Sequence, residues 1–433
     1  MMPNSKLKKL LQATRRIDAR TWVILLVPIA TSLLVFVLAT IHLLNIFLLE
    51  DSVQTRSVRY MRNFVDRSAF DGKTKIILIP QSQQSEGPFG DIDKKHREFF
   101  ANLVTAMAQA HAKVLAFDMA FEGKSAFDAA FGNAIAAADK NNLKVIVGVD
   151  SYTNGQTDPV IPSEFNKPRW GTILVGGYQG DSGPISSMKL AEPDSNPGTP
   201  VIPSLALKIV METAEPPLVA EFDPAQQDLL LYSAGPNRQL IKSIPLERQR
   251  NLFLDQIPED EIGRARIEAR KVFDEVKDPD VAKKYEGAIV LVGYEQGEAQ
   301  EVLSGGQRLG VELHATAVSN ILHDAFIYKL APGYNYLLIL LMAFLGASLH
   351  TPIGRWLDFK VPISIPKTQL TIQVPLGLIM LGFLYLVAAF LIYKLTRVYL
   401  DVCYHLFALA LSYLAIWFVL TKWFQPKTTD LRV

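Results

Sequence analysis

Two groups of carboxylates stand where apolar runs end. Asp118 follows VLAF at 114–117, and Glu122 comes shortly after it. Beyond AIVLV at 288–292 stand Gly293, Tyr294, Glu295, Glu298 and Glu301. In an open α/β sheet, ligands gather past the carboxyl ends of the strands. If the two runs are neighbouring strands, Asp118, Glu122, Tyr294, Glu295 and Glu298 share one edge and form the candidate ligand-binding set. Paired carboxylates can carry acid–base hydrolysis or hold a cation. Acidic residues at strand ends also cap helices and anchor loops. Anchoring, recognition of a ligand or ion, and catalysis are therefore three readings of the same residues, in that order of weight, and no residue is assigned as catalytic.

Other chemistries fit less well. A phosphate cradle needs closely spaced glycines with backbone N–H groups aimed at an anion. Here Gly293 and Gly297 bracket Tyr-Glu-Gln, and Glu295 and Glu298 would repel a pyrophosphate. His96, His111, His314 and His323 are scattered, and no cysteine accompanies them, so neither a metal nor a cofactor is expected. A lone histidine can still respond to pH. The single cysteine, Cys403, excludes an intramolecular disulfide framework and lies in an apolar run. A formal net charge of +1 gives no reason to expect nucleic acid as a partner.

The elements that must position the carboxylates read as strands alternating with helices. Short runs rich in Val, Ile and Leu fall at 75–79, 113–117, 143–149, 172–175, 229–232 and 288–292, the pattern of strands covered on both faces. Helical patterns occupy 96–110, 126–138, 203–212 and 310–322. Alternation of this kind predicts an α/β domain with a mostly parallel sheet. The segment 258–277, PEDEIGRARIEARKVFDEVK, is charged at helical spacing, with a thin apolar stripe of Ile262, Ala269, Val272 and Val276. It reads as a solvated helix or, alternatively, a partner-docking one.

Long apolar runs flank this domain. Residues 22–49 contain no Asp, Glu, Lys or Arg. A helix of about 20 apolar residues crosses a hydrocarbon core of ~30 Å. No small-residue cleavage site follows, so the run reads as an uncleaved anchor. Three further spans are expected at 332–350, 373–393 and 402–420, giving four transmembrane helices, one N-terminal and three C-terminal. Basic residues orient them. Lys6, Lys8, Lys9, Arg15, Arg16 and Arg20 precede the first span; Arg355, Lys360 and Lys367 lie in the 351–372 loop; Lys422, Lys427 and Arg432 lie in the 421–433 tail. Four crossings place these segments and 1–21 in the cytoplasm, and 50–331 outside. Lys394 and Arg397, in the outer turn 394–401, run against the rule. Ala343 with Ala347, and Ala408 with Ser412, have the four-residue spacing that lets helices approach closely.

Several blocks resemble one family. AKVLAFDMAF at 112–121 is similar to its AxVVAFDxxF strand, and IPSLALKIV at 202–210 to its PSLALxxA helix. LLLYSAGP at 229–236 resembles INYxGP. GAIVLVGYEQGEAQ at 287–300 with GVELHATAVSNIL at 310–322 resembles GKIVLIGxT…PGVEIHANALxxLL. These are blocks of the CHASE type 2 domain, an extracytoplasmic sensory module of bacterial receptors, and the likeness covers roughly 60–330. There are departures: GPFGDIDKKH at 87–96 has no Trp, 181–187 lacks the family's arginine, and Gln300 and Glu301 stand where an Asp near a TP pair is usual.

The resemblance implies an inner-membrane sensory protein that detects an extracytoplasmic signal. Relatives carry a fused cyclase or kinase. Here a stand-alone sensor is expected, relaying to a separately encoded membrane or cytoplasmic partner or through self-association as a homo-oligomer. The expected partners are the lipid bilayer, that signalling protein and an unknown small-molecule ligand. A non-enzymatic structural or scaffolding subunit of an envelope complex is the rival reading.

Overall fold

The computed structural model describes residues 19–41, 70, 72–80, 92–121, 124–149, 161–165, 168–173, 187–192, 201–223, 228–236, 238–246, 251–254, 257–295, 300–301, 307–352, 354–357, 359–364 and 371–424. The chain divides into two compact units, one from Val65 to Tyr328 and one built from the segments on either side.

In the flanking unit, helix α1 (Ala19–Thr40) is long and apolar enough to cross a membrane. The expected continuation over 42–49 lies outside the described residues.

The unit from 65 to 328 is built on one sheet. Its strands are β1 (Thr74–Ile79), β2 (Val114–Ala120), β3 (Lys144–Val149) and β4 (Arg169–Thr172), joined later in the chain by β8 (Arg266–Glu268) and β9 (Ile289–Tyr294). Their order across the sheet is β8-β1-β9-β2-β3-β4, and every pairing is parallel. The expected parallel α/β sheet is present. β9 therefore does lie beside β2, with Val292 opposite Phe117. Alternate residues feed two cores. Ile76, Val114, Ala116, Ile146 and Leu291 face one side. Ile77, Leu115, Phe117, Val147, Val290 and Val292 face the other.

Helices cover both faces. α2 (Ile92–Gln109) and α3 (Asp128–Lys140) bury Leu103, Val104, Met107, Phe131 and Ile135 on the second side. α4 (Leu205–Thr213) covers the first side; Ser204 caps it, its hydroxyl accepting from the Leu207 N–H at 3.2 Å. A separate antiparallel sheet joins that side, formed by β5 (Leu218–Asp223), β6 (Asp228–Ser233) and β7 (Leu240–Pro245) in the order β7-β6-β5. The run at 229–232 is thus not a strand of the parallel sheet. Leu229 and Leu231 are buried while Leu230 and Tyr232 are half-buried, the alternation of a strand covered on one face.

The segment 258–277 departs from the single solvated helix predicted for it. It folds as helix α5 (Glu259–Ala265), strand β8 and helix α6 (Ala269–Lys277). Its apolar positions do not form one stripe: Ile262 enters the first core, whereas Ala269 and Val272 enter the second. The three residues of β8 form the edge strand of the sheet and pair with β1, Ile267 opposite Ile77. Arg264 and Asp260 form the expected i,i+4 pair at 3.0 Å on the exposed side of α5, but other charged residues pair across elements. Arg266 meets Glu259 at 2.8 Å and Glu312 of helix α7 (Gly310–Leu322) at 2.6 Å. Arg308, almost fully buried, pairs with Glu259 and donates to the Ile257 carbonyl at 3.0 Å. Burial pulls its pKa down, while the Glu312 carboxylate pushes the other way.

Three C-terminal helices complete the flanking unit: α8 (Pro332–Ser348), α9 (Leu376–Thr396) and α10 (Val402–Phe424). Like α1, helices α9 and α10 are long and apolar enough to span a bilayer. α8 is apolar but only 17 residues long. At ~1.5 Å per residue it reaches about 26 Å, short of the ~30 Å hydrocarbon core. Among the described residues, three helices long and apolar enough to span and one shorter apolar helix thus stand where four spans were expected. α1, α8 and α10 pack around Val35, Ile339, Met342, Tyr404 and Ala408. A Cβ on Gly346 would lie 2.2 Å from the Leu409 carbonyl oxygen, so α8 and α10 touch backbone to side-chain position there.

Replacing Ile262 by Ala tests the revised segment. A fully buried isoleucine costs about 2–5 kcal/mol when truncated, whereas a residue on a solvated helix costs under about 0.5 kcal/mol. Urea denaturation followed by tryptophan fluorescence should give the larger value.

Candidate functional site

The site is built on a defect in the ladder. β2 and β3 run in register until Phe117 meets Val147, and the next pair is Ala120 with Gly148. Asp118 and Met119 are thus left over as a bulge. Bulges re-aim side chains and are common beside functional sites. Gly148 makes this one possible. A Cβ there would lie 2.7 Å from the carbonyl oxygens of both Phe117 and Met119, and 2.3 Å from the Ile173 side chain.

Asp118 follows the alternation of β2 onto the first face, and there it meets α7. His314, one turn into that helix and fully buried, places Nε2 3.5 Å from Asp118 Oδ1 and 3.3 Å from the Ile173 carbonyl oxygen. The other ring nitrogen, Nδ1, has no hydrogen-bond partner among the described residues. Close approach of α7 to the sheet depends on Gly293, where a Cβ would lie 2.7 Å from Val311 Cβ. The helix start is held by Glu312, whose carboxylate accepts from the Leu309 N–H at 3.1 Å. That is the N3 half of a capping box; Leu309 has no side-chain acceptor to supply the other half.

The Asp118 side chain is only 11% exposed. Burial raises its pKa above the ordinary aspartate range, and nearby His314 opposes that rise. A carboxyl that resists ionisation, facing a histidine with one unsatisfied nitrogen, can take up or release a proton or accept donors from a ligand.

The other candidate residues do not gather around this pair. Tyr294 lies on the opposite face of the sheet, packed against the second core. Glu295 is exposed, and its N–H donates to the Ile79 carbonyl at 2.9 Å, tying β9 to β1. Glu122 and Glu298 lie outside the described residues. His314 is not one of the candidate ligand residues read from the sequence, where the scattered histidines suggest no metal site and only a pH response. The signal for it is a histidine in GVELHATAVSNIL, a helix with few polar positions, following a strand that neighbours one ending in Asp.

The chain thus combines a parallel α/β body, a buried polar pair at the carboxyl edge of its sheet, and membrane-capable helices in the segments before and after it. Residues 30–348, well over half of the chain, match the CHASE2 domain profile. The chain belongs to the CHASE2 family, a family of extracytoplasmic sensory domains. No curated protein and no solved structure matches it.

Asp118→Asn gives a signed pH test. The raised pKa means the folded state binds a proton more tightly than the unfolded chain, so native stability falls as pH rises from the ordinary aspartate pKa through Asp118's own value. The Asn variant should lose that slope and melt at a higher temperature than wild type at neutral pH. Melting curves of both proteins across the acid range check this.

Proposed function

We propose that this protein is a multi-pass inner-membrane receptor of bacterial type, with the unit from 65 to 328 outside the cytoplasm and both termini inside. In this reading α8 also crosses the bilayer, its short apolar length extended by Leu330 and Ala331, which makes four spans. The basic residues before α1 and after α8 and α10 support the orientation. The CHASE2 match carries the sensory role.

Asp118 and His314 are the polar contacts for the signal. A ligand presenting a cation or hydrogen-bond donors favours the ionised carboxylate, and a change in that charge alters how β2 and α7 pack. A population shift between two arrangements of the domain follows. The protein performs no chemistry of its own and passes the shift to a separately encoded partner or to a second copy of itself.

Two measurements test this. With Cys403→Ser and a new cysteine at residue 200, a membrane-impermeant maleimide should label intact spheroplasts; labelling only after lysis would contradict the orientation. Photo-crosslinking from Phe383, on the exposed side of α9, should capture a neighbour to an extent that differs severalfold between wild type and Asp118→Asn. Identical capture favours a constant scaffold over a receptor.

A further inference from the structure

The most exposed large apolar side chain among the described residues is Trp356, at 90%, and nearby Phe359 is 72% exposed. Both belong to the segment between α8 and α9. Indole has a large apolar body to cover and one N–H that needs a polar partner.

The turn that carries Trp356 is pinned on both sides. Residues Gly354–Leu357 form one short helical turn folded back on the end of α8. A Cβ on Gly354 would lie 2.4 Å from Leu349 Cα. The Thr351 hydroxyl donates to the Ser348 carbonyl at 2.6 Å and accepts from the Gly354 N–H at 3.4 Å. His350 Nε2 donates to the Tyr413 carbonyl of α10 at 2.9 Å. On the other side stands Gly377, the second residue of α9. A Cβ there would lie 2.7 Å from Leu349 Cδ2 and 2.8 Å from Leu357 Cβ. Leu357 is therefore packed at the start of α9, while its neighbour Trp356 stands in the open. The Phe359 carbonyl accepts from the Leu376 N–H at 2.7 Å, which fixes Phe359 beside the first residue of α9.

Both aromatics are thus held at the level where two apolar helices meet their connection. α8 has 17 residues. It reaches about 26 Å, less than a ~30 Å hydrocarbon core. A span that short keeps its ends at the boundary between acyl chains and headgroups, and the turn attached to its end stays there with it. That boundary is where tryptophan collects, with its ring in apolar and its N–H in polar surroundings.

We propose that Trp356 and Phe359 form an interfacial anchor, docking the α8–α9 connection into the phospholipid layer at the acyl–headgroup boundary. The partner surface is lipid, and no charge on the protein is needed to select it. This inference rests on α8 and α9 crossing the bilayer, as in the receptor reading, and it adds a fixed height for α8.

The test uses the full chain in phosphatidylcholine liposomes, with the photo-reactive p-benzoylphenylalanine placed at Trp356, at Phe383 on the exposed side of α9, or at Asn141, exposed at the end of α3. Mass spectrometry after irradiation counts phospholipid adducts. Position 356 should give adducts at a yield near that of 383 and severalfold above that of 141. Position 359 should do the same, and it decides the matter if the change at 356 unfolds the protein. Lipid adducts at 383 with a yield at 356 and 359 no higher than at 141 overturn the anchor while leaving the spans intact. No lipid adduct at 383 overturns the spans and the anchor with them. Crosslinks from 356 to a second copy of the chain in place of lipid also overturn the proposal.

Discussion

The burial of β9 between β1 and β2 is the constraint on which the unit from 65 to 328 depends. Ala288 to Val292 are buried, and each pairs or packs on both sides. Nothing polar in that run needs a partner beyond the ladder itself. With β9 in place, β1 and β2 become its two flanks, the two cores are separated, and α7 follows directly onto the first face. Gly293 then sets how near α7 comes, and that distance places His314 against Asp118. The site is thus a consequence of how the central strand ends. No loop carries it.

Much of this fold was legible in the sequence. The apolar runs at 75–79, 113–117, 143–149 and 288–292 became parallel strands because they have nothing but buried faces to offer. Residues 310–322 became the helix expected of them. The segment 258–277 was misleading for a physical reason. Charged residues at i,i+4 spacing look alike whether they pair along one helix or across several elements. Arg266 satisfies Glu312, far away in sequence, and no local periodicity records that. Strand 228–233 was placed in the wrong sheet because a short apolar run does not say whether one or both faces are covered.

The site itself was half legible. Asp118 stood out because it ends an apolar strand. Its partner did not, since the pairing is set by the bulge at Asp118 and Met119 and by glycines on two other strands. Tyr294 illustrates the opposite error. It is adjacent to the right edge in sequence, yet a residue's parity along the strand decides its face, and Tyr294 has the parity of the second core.

β9 is also the last strand of the sheet to leave the ribosome, although it occupies the middle. β1 neighbours only β8 and β9, both encoded some 190 or more positions later. Until those arrive, β1 has no ladder partner and its apolar faces have nothing to cover them. A chain delivered from its amino end therefore accumulates nearly three hundred residues as incomplete halves before the sheet can close. Folding of this body during synthesis is consequently a problem of vectorial timing. Early strands need shielding for as long as elongation to β9 takes.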